Sequence, residues 1–555
     1  MGRLERLALL WILALCGLAC RDAGGLQGQG GAGPTGAGGI AGTSGAPVNG
    51  GSHGAGMGGA ASGGRGGSPS QVVQITKDLT SRGKLDLLFM IDDSSSMAPL
   101  QAKMQVQLPS FIDALSDPAS GQVPDLHLAV VSSSYGAGAW ANVNQCHSRL
   151  ADPNTLGDDG GRFLQGAVGA QPSPCTMLHA GTKFLANMDG PAMAPNYDGT
   201  LADAFKCIAL LGDKGCGFES QFESVYWALA KALEADDPDN AGFLRPDAIL
   251  AIVMLTNEDD CSVRNDSVLM APVNSVADPS GLGALQSYRC NEFGHLCDGM
   301  PPPHDPPPGS GVSLRNCVSA ENNGKTDDQL KDPNGDGDPT HGHLWPTVAE
   351  FSTYVKMFKS NVDDVLVAAI AGPPVDARGD SLYRVISQAN PAAMNEIDPI
   401  VDHSCVQQTS AGADPEYADP AVRIKQWVDT FGPNGIFYPI CANDFRTAMV
   451  TIATRVQGKL HAFCVSSSVA LDPSDPTKHA CQLTQQTTDA SGKQTVRTLP
   501  ECASGTGNAP CFILTSNAFQ CGDPSSKTLV RVCETEACTA PGLSGVVTLT
   551  CATDQ

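Results

Sequence analysis

The stretch that most constrains this chain is KLDLLFMIDDSSSM, Lys84 to Met97, where Leu85, Leu87, Leu88, Phe89, Met90 and Ile91 run directly into Asp92, Asp93 and three serines. An apolar run cut off by acid and hydroxyl predicts a buried strand that stops at a polar loop. Asp92, Ser94 and Ser96 spell DxSxS. One carboxylate and two hydroxyls on alternate residues of a tight turn face one point, and they are the hard oxygens that Mg2+, Mn2+ or Ca2+ prefer.

Further apolar runs repeat the pattern. Leu126 to Val131 predicts a second strand, Ala248 to Leu255 a third that ends in TNEDDCS, and Val365 to Ala371 a fourth. Helical spacing separates them: Leu100, Met104, Leu108, Phe111 and Leu115, with Pro109 expected to kink or shorten that helix; then Leu201 to Leu211; then Phe222, Tyr226, Leu229 and Leu233. A helix from about Thr347 to Lys359 follows, and a last one, capped by Asn443 or Asp444, carries Phe445, Met449, Ile452 and Val456 on one face. Strands alternating with helices predict an α/β fold, a doubly wound and mostly parallel sheet. In such a sheet the loops at the carboxyl ends gather, so Asp92 to Ser96 should meet Asn257 to Asp260. Three long Gly/Pro-rich stretches, about 132–195, 263–345 and 372–439, read as insertions tied by disulfides. Cys146 and Cys175 lie in the first, and Cys207 and Cys216 flank a turn within bonding reach of each other.

Composition places the chain outside the reducing cytoplasm. Of 20 cysteines, Cys16 and Cys20 precede the rest, ten fall between Cys146 and Cys441, and eight between Cys464 and Cys551. Both groups are even, as expected if each closes its own disulfides, and no paired CxxC sets favour zinc instead. The formal charge of −24, from 34 basic and 58 acidic residues, with no basic stripe, excludes nucleic acid as a partner. Residues 1–20 read as an export signal, with Arg3 and Arg6 before the apolar run Leu7 to Leu15. GLAC, Gly17 to Cys20, resembles the lipobox of bacterial lipoproteins, which implies lipidation of Cys20; ordinary signal cleavage is the alternative. Residues 21–76, nearly all Gly, Ala and Ser as far as Pro69, read as a disordered tether. Residues 465–555, rich in Cys, Thr and Val with little helical period, read as a small Cys-rich β region.

The strand ending in DxSxS, followed by Met97, resembles the first metal loop of von Willebrand factor type A (VWA) domains, and the resemblance extends over about residues 77–464. It implies a Rossmann-like sheet bearing a metal-ion-dependent adhesion site, whose cation keeps one coordination position open for a partner's carboxylate. Carried onto this chain, Asp92, Ser94 and Ser96 match, and Thr256 matches at the third loop. Asn257 stands where the family has aspartate, with a carbonyl oxygen to offer the ion or a water. At the second loop Glu219 falls where the family has threonine; Thr200, the rival, precedes the wrong helix. The resemblance therefore implies a divalent cation, Mg2+, Mn2+ or Ca2+, held by Asp92, Ser94, Ser96, Glu219 and Asn257.

Two other motifs stand apart from this loop. Asp332, Asn334, Asp336 and Asp338 match the front half of a calcium loop without its closing glutamate, a possible second Ca2+ site. RGDS, Arg378 to Ser381, reads as a loop after the strand. No catalytic constellation survives its context: GxSxG at Gly50, Ser52 and Gly54 lies inside the low-complexity run, with no strand before it. The sequence thus reads as a non-enzymatic surface or envelope lipoprotein that binds a protein or glycan through an acidic group and meets the membrane through its lipid. It is exported, to the outer membrane or cell surface, or alternatively to the periplasm or medium. A metal-independent scaffold of an envelope assembly, or a metal-assisted hydrolase, are the other readings.

Overall fold

In the computed structural model the structure describes residues 72–78, 83–116, 122–137, 143, 146, 159–166, 175–188, 193–263, 268–271, 282–306, 311–319, 344–359, 362–389, 397–408, 415–465, 469–488, 493–502, 510–516, 528–533 and 546–553. Cys20 and the calcium-loop residues Asp332, Asn334, Asp336 and Asp338 lie outside them.

The apolar runs form one six-stranded sheet: β1 Lys84–Ile91, β2 Asp125–Ser132, β3 Leu185–Ala186, β4 Ile249–Leu255, β5 Val365–Ala371 and β6 Gly435–Pro439, in the spatial order β6-β5-β4-β1-β2-β3. Four neighbouring pairs are parallel, and only β3 runs antiparallel to its neighbour β2. Side chains alternate across β1, so Leu85, Leu87, Phe89 and Ile91 point to one core while Leu88 and Met90 point to another. The first core is covered by α1 Ala98–Leu115, α2 Leu201–Ile208 and the long helix Arg446–His461, which we label α7. The second is covered by α3 Gln221–Leu233, α5 Val348–Lys356 and α6 Val422–Asp429; α4 Tyr288–Gly294 packs in an outlying cluster with Cys261 and Leu344. Phe89, Phe111 and Phe205 meet edge to face, with centroids 4.9–6.4 Å apart.

The chain as a whole is nevertheless not a doubly wound parallel sheet, as the sequence pattern predicts, but a mixed α/β fold. Of seven sheets among the described residues, the other six are purely antiparallel. They are built from short strands in the segments read as insertions and from both ends of the described chain, where no local crossover helix is available to impose parallel pairing.

Four further differences have local causes. Helix α1 runs through Pro109 to Leu115, because Leu108, Phe111, Ile112 and Leu115 are all buried and hold the last turns down. The stretch 372–439 is not irregular: it supplies α6, whose Val422, Ile424, Trp427 and Val428 are buried, and the edge strand β6. Cys207 does not bond Cys216. The pairs are Cys146–Cys216 and Cys175–Cys207, each tying the 132–195 segment to the α2–α3 region. The expected tether ends early, since Val72–Asp78 is a strand paired antiparallel with Val546–Ala552, placing Val73 opposite Cys551 and Ile75 opposite Leu549. Val73 and Ile75 pack against a separate small core of Val465, Leu483, Phe512, Val530 and Leu549 between two antiparallel sheets. Cys481–Cys551 and Cys502–Cys511 cross-link that region.

Candidate metal centre

Parallel pairing brings the carboxyl ends of β1 and β4 side by side: Ile91 is registered with Leu255, and the Asp92 amide donates to the Leu255 carbonyl at 2.9 Å. Asp92 is fully buried beneath the loop it opens. Its Oδ1 accepts from the Ser94 amide at 2.8 Å and the Ser133 hydroxyl at 3.1 Å, and its Oδ2 from Thr256 Oγ1 at 2.7 Å. Ser94 and Ser96 follow with hydroxyls 3.4 Å apart. Asn257 Nδ2 donates to Ser96 Oγ at 3.0 Å and to the Tyr417 carbonyl at 3.2 Å, so Asn257 fastens the first loop to the hairpin that contains Tyr417.

Glu219 comes from the turn that enters α3. That turn is pinned on both sides, by the Ser220 amide donating to the Ser133 carbonyl at 2.8 Å and the Cys261 amide to the Glu219 carbonyl at 2.7 Å. Glu219 is 1% exposed; no N–H or hydroxyl donor reaches its carboxyl, and the neighbour within hydrogen-bonding reach is another acid, Glu258. Burial drives its pKa well above the usual carboxylate range, and the negative charges of Glu258 and Asp92 add to the rise. Glu258 is pushed up to about 8, first by desolvation of its carboxyl although part of the residue reaches solvent, then by Asp419 and Asp92. Asp92 itself is raised, burial outweighing its hydrogen bonds. Glu219 and Glu258 thus form a buried carboxyl pair that shares a hydrogen bond, with the Asp92 charge adding to the repulsion.

The remaining acids of the third loop already have partners. Asp260 accepts from the Phe222 amide at 2.8 Å and from Arg423 at 3.1 Å, and Asp259 accepts from His295 Nε2 and the Arg423 amide, each at 2.9 Å. They hold α3 and α6 in place and are not free to serve an ion. Thr200 lies elsewhere, exposed as the cap of α2, where its Oγ1 accepts from the Asp203 amide at 3.1 Å. Arg378 to Asp380 form an exposed turn whose amides at Arg378 and Asp380 bond Asp376 Oδ1 at 2.8 and 2.9 Å.

Ser133, Ser134, Gln221 and Glu258 complete the surroundings and were not singled out as site residues by the motif. Gln221 Nε2 donates to Thr256 Oγ1 at 3.0 Å, steadying the hydroxyl that orients Asp92. The signal for Ser133 and Ser134 was present in LHLAVVSSS: β2, like β1, is an apolar run that ends in serines. Among the described residues no three carboxylate, imidazole or thiolate side chains converge as a metal site. The donor set that fits an ion is mixed, the carboxylates of Asp92 and Glu219 with the hydroxyls of Ser94 and Ser96, and the Glu219 carboxyl, reached by no N–H or hydroxyl donor and paired with Glu258, is the observation that fits a hard cation. Ser95 is exposed and Ser96, Glu258 and Tyr417 are partly so, so one side of the cluster reaches the surface.

No protein-family model matches this chain, and no curated protein does. Among solved structures, the pilus adhesin RrgA of Streptococcus pneumoniae is similar at 9% identity and a TM-score of 0.26, over 86% of this chain and 58% of that one. The adhesive tip pilin GBS104 of Group B Streptococcus agalactiae is similar at 10% identity and a TM-score of 0.21, over 86% of this chain and 81% of that one. The chain thus spans little more than half the length of the first. Likeness at this level assigns neither fold nor function.

Proposed function

We propose that this chain is an exported surface protein that uses a divalent cation, held at the carboxyl ends of β1 and β4, to grip an acidic group of a protein or glycan partner, as VWA domains do. Asp92, Ser94, Ser96, Glu219 and Asn257 hold or orient the ion, which is Mg2+, Mn2+ or Ca2+. When bound, the cation supplies the open coordination position. The protein keeps Asp92 aimed through Thr256 and Ser133 and keeps Ser96 in place through Asn257. One observation carries the reading: a buried Glu219 carboxyl that no N–H or hydroxyl group reaches and that is paired instead with another acid, Glu258, with the Asp92 charge close by. Seven disulfides among the described residues support an oxidising compartment. Cys20 is the lipid anchor that keeps the head at the membrane, and replacing it with alanine should move the protein to the soluble fraction.

The test is capture of surface ligands with and without EDTA, together with calorimetric Mg2+ and Mn2+ titration of the paired substitution Asp92→Ala and Ser94→Ala. Capture that EDTA abolishes and Mn2+ restores is expected. Capture indifferent to EDTA favours the metal-independent scaffold, and unchanged ion binding in the substituted protein sinks the site.

A further inference from the structure

A second group of buried oxygens adjoins the first through Ser133, whose hydroxyl lies 3.1 Å from Asp92 Oδ1 and 3.4 Å from Asp93 Oδ1. Asp93 follows directly on Asp92. Its Oδ1 accepts from Ser134 Oγ at 2.8 Å, and that hydroxyl in turn accepts from the Cys216 amide at 2.9 Å. Ser132 donates to Asp159 Oδ2 at 2.5 Å, and the Asp159 amide donates to the Ser134 carbonyl at 3.0 Å, so the run Ser132 to Ser134 at the end of β2 bonds both acids. Asp93 and Asp159 are 5% and 2% exposed.

Two features distinguish this group. Asp159 Oδ1 is buried and has no hydrogen-bond partner, although its sister oxygen is bonded. Gly215 leaves the space that the Asp93 carboxylate fills, since a Cβ there would sit 2.2 Å from Asp93 Oδ1; its amide also holds the Asp93 carbonyl at 2.7 Å. Arg162 stands on the flank, its Nε donating to the main-chain carbonyl of Asp159 at 2.9 Å. A buried carboxylate oxygen left without a donor costs on the order of 1–3 kcal/mol or more.

We propose that Asp93 and Asp159, with the hydroxyls of Ser132 and Ser134, hold a second hard divalent cation, next to the first and sharing Ser133 as their common wall. None of these ligands belongs to the first site, so the two stand or fall separately. The experiment is calorimetric titration of the full chain, stripped with EDTA and dialysed, with Ca2+ and with Mn2+, for the wild type, Asp159→Asn, Glu219→Gln and the double variant. Asp159→Asn is expected to bind one ion fewer per chain than the wild type, and the double variant one fewer than Glu219→Gln. Ion binding unchanged in both count and affinity in Asp159→Asn overturns the proposal, whereas count and affinity both unchanged in Glu219→Gln overturn only the first site. Should Asp159→Asn lose its circular dichroism signal, Ser132→Ala replaces it, with one class of ion weakened by roughly tenfold expected; unchanged affinities in that variant overturn the proposal equally.

Discussion

Strand β4 buries all seven of its residues, Ile249 to Leu255, whereas the strand Val546–Ala552 buries only every second one. The first is sandwiched between two helical layers, and the second faces its small core on one side only. The difference decides where a binding site can be held rigidly. Two-sided burial locks the register of β1 against β4, so that Asp92 and Thr256 meet to within a hydrogen bond although they are 164 residues apart in sequence. Among the described residues the terminal sheets rest instead on ten buried apolar residues and two disulfides, and no acid of the candidate metal centre comes from them.

The contrast can be broken from either side. Phe89→Ala, at a side chain 1% exposed among Phe111 and Phe205, should cost about 3–5 kcal/mol and abolish ion binding together with the fold. Thermal and denaturant unfolding measure the first effect and calorimetry the second. Replacing Cys481 and Cys551 together by serine opens a 70-residue loop and should cost roughly 2–4 kcal/mol, with unfolding of the C-terminal sheets, yet leave ion affinity unchanged. If affinity falls too, the two regions are not independent.

A smaller effect depends on pH. The Glu258 carboxyl titrates at about 8 in the folded chain against an ordinary value of 4.5, and Asp92 and Glu219 are displaced in the same direction. Folding therefore favours their protonated forms. The stability they contribute is fully present below the ordinary value and is lost as pH rises through the folded one. In EDTA the melting temperature should drop between about pH 5 and about pH 8, and Mn2+ should raise it more at the higher pH; an equal rise at both would separate ion binding from these acids. Smallest is Thr347→Ala, which removes the capping box of α5, in which Thr347 and Glu350 bond each other's amides; it should cost about 1 kcal/mol without touching the ion.

The same contrast explains what could be read in advance. Leu85 to Ile91, Ala248 to Leu255 and Val365 to Ala371 are long apolar runs, and burial on both faces leaves no polar residue to blur them. Their acidic endings, Asp92 and Thr256 to Asp260, were legible for the same reason. The partner of Val72–Asp78 was not, because it lies more than 450 residues away and pairing over that distance leaves no local trace. Helix α6 was hidden because its buried Val422, Ile424, Trp427 and Val428 are interleaved with Arg423, which is charged yet fully buried on Asp260. Cysteine counts gave the closed group of ten from Cys146 to Cys441, but pairing within it depends on which loops the sheet brings together, so Cys216 found Cys146 and not its neighbour Cys207.

The proposed metal centre rests on Glu219 more than on the motif that first marked it, because the Asp92 carboxylate already accepts from Ser94, Ser133 and Thr256, whereas the Glu219 carboxyl is paired with another acid, Glu258. Calorimetric titration of Mn2+ into the wild type and Glu219→Gln is the most direct measurement. A saturable site in the wild type that weakens by tenfold or more in the variant is predicted, on the order of the 1.4 kcal/mol such a factor represents. Equal binding in both proteins, or no binding in either, would contradict a cation at this place.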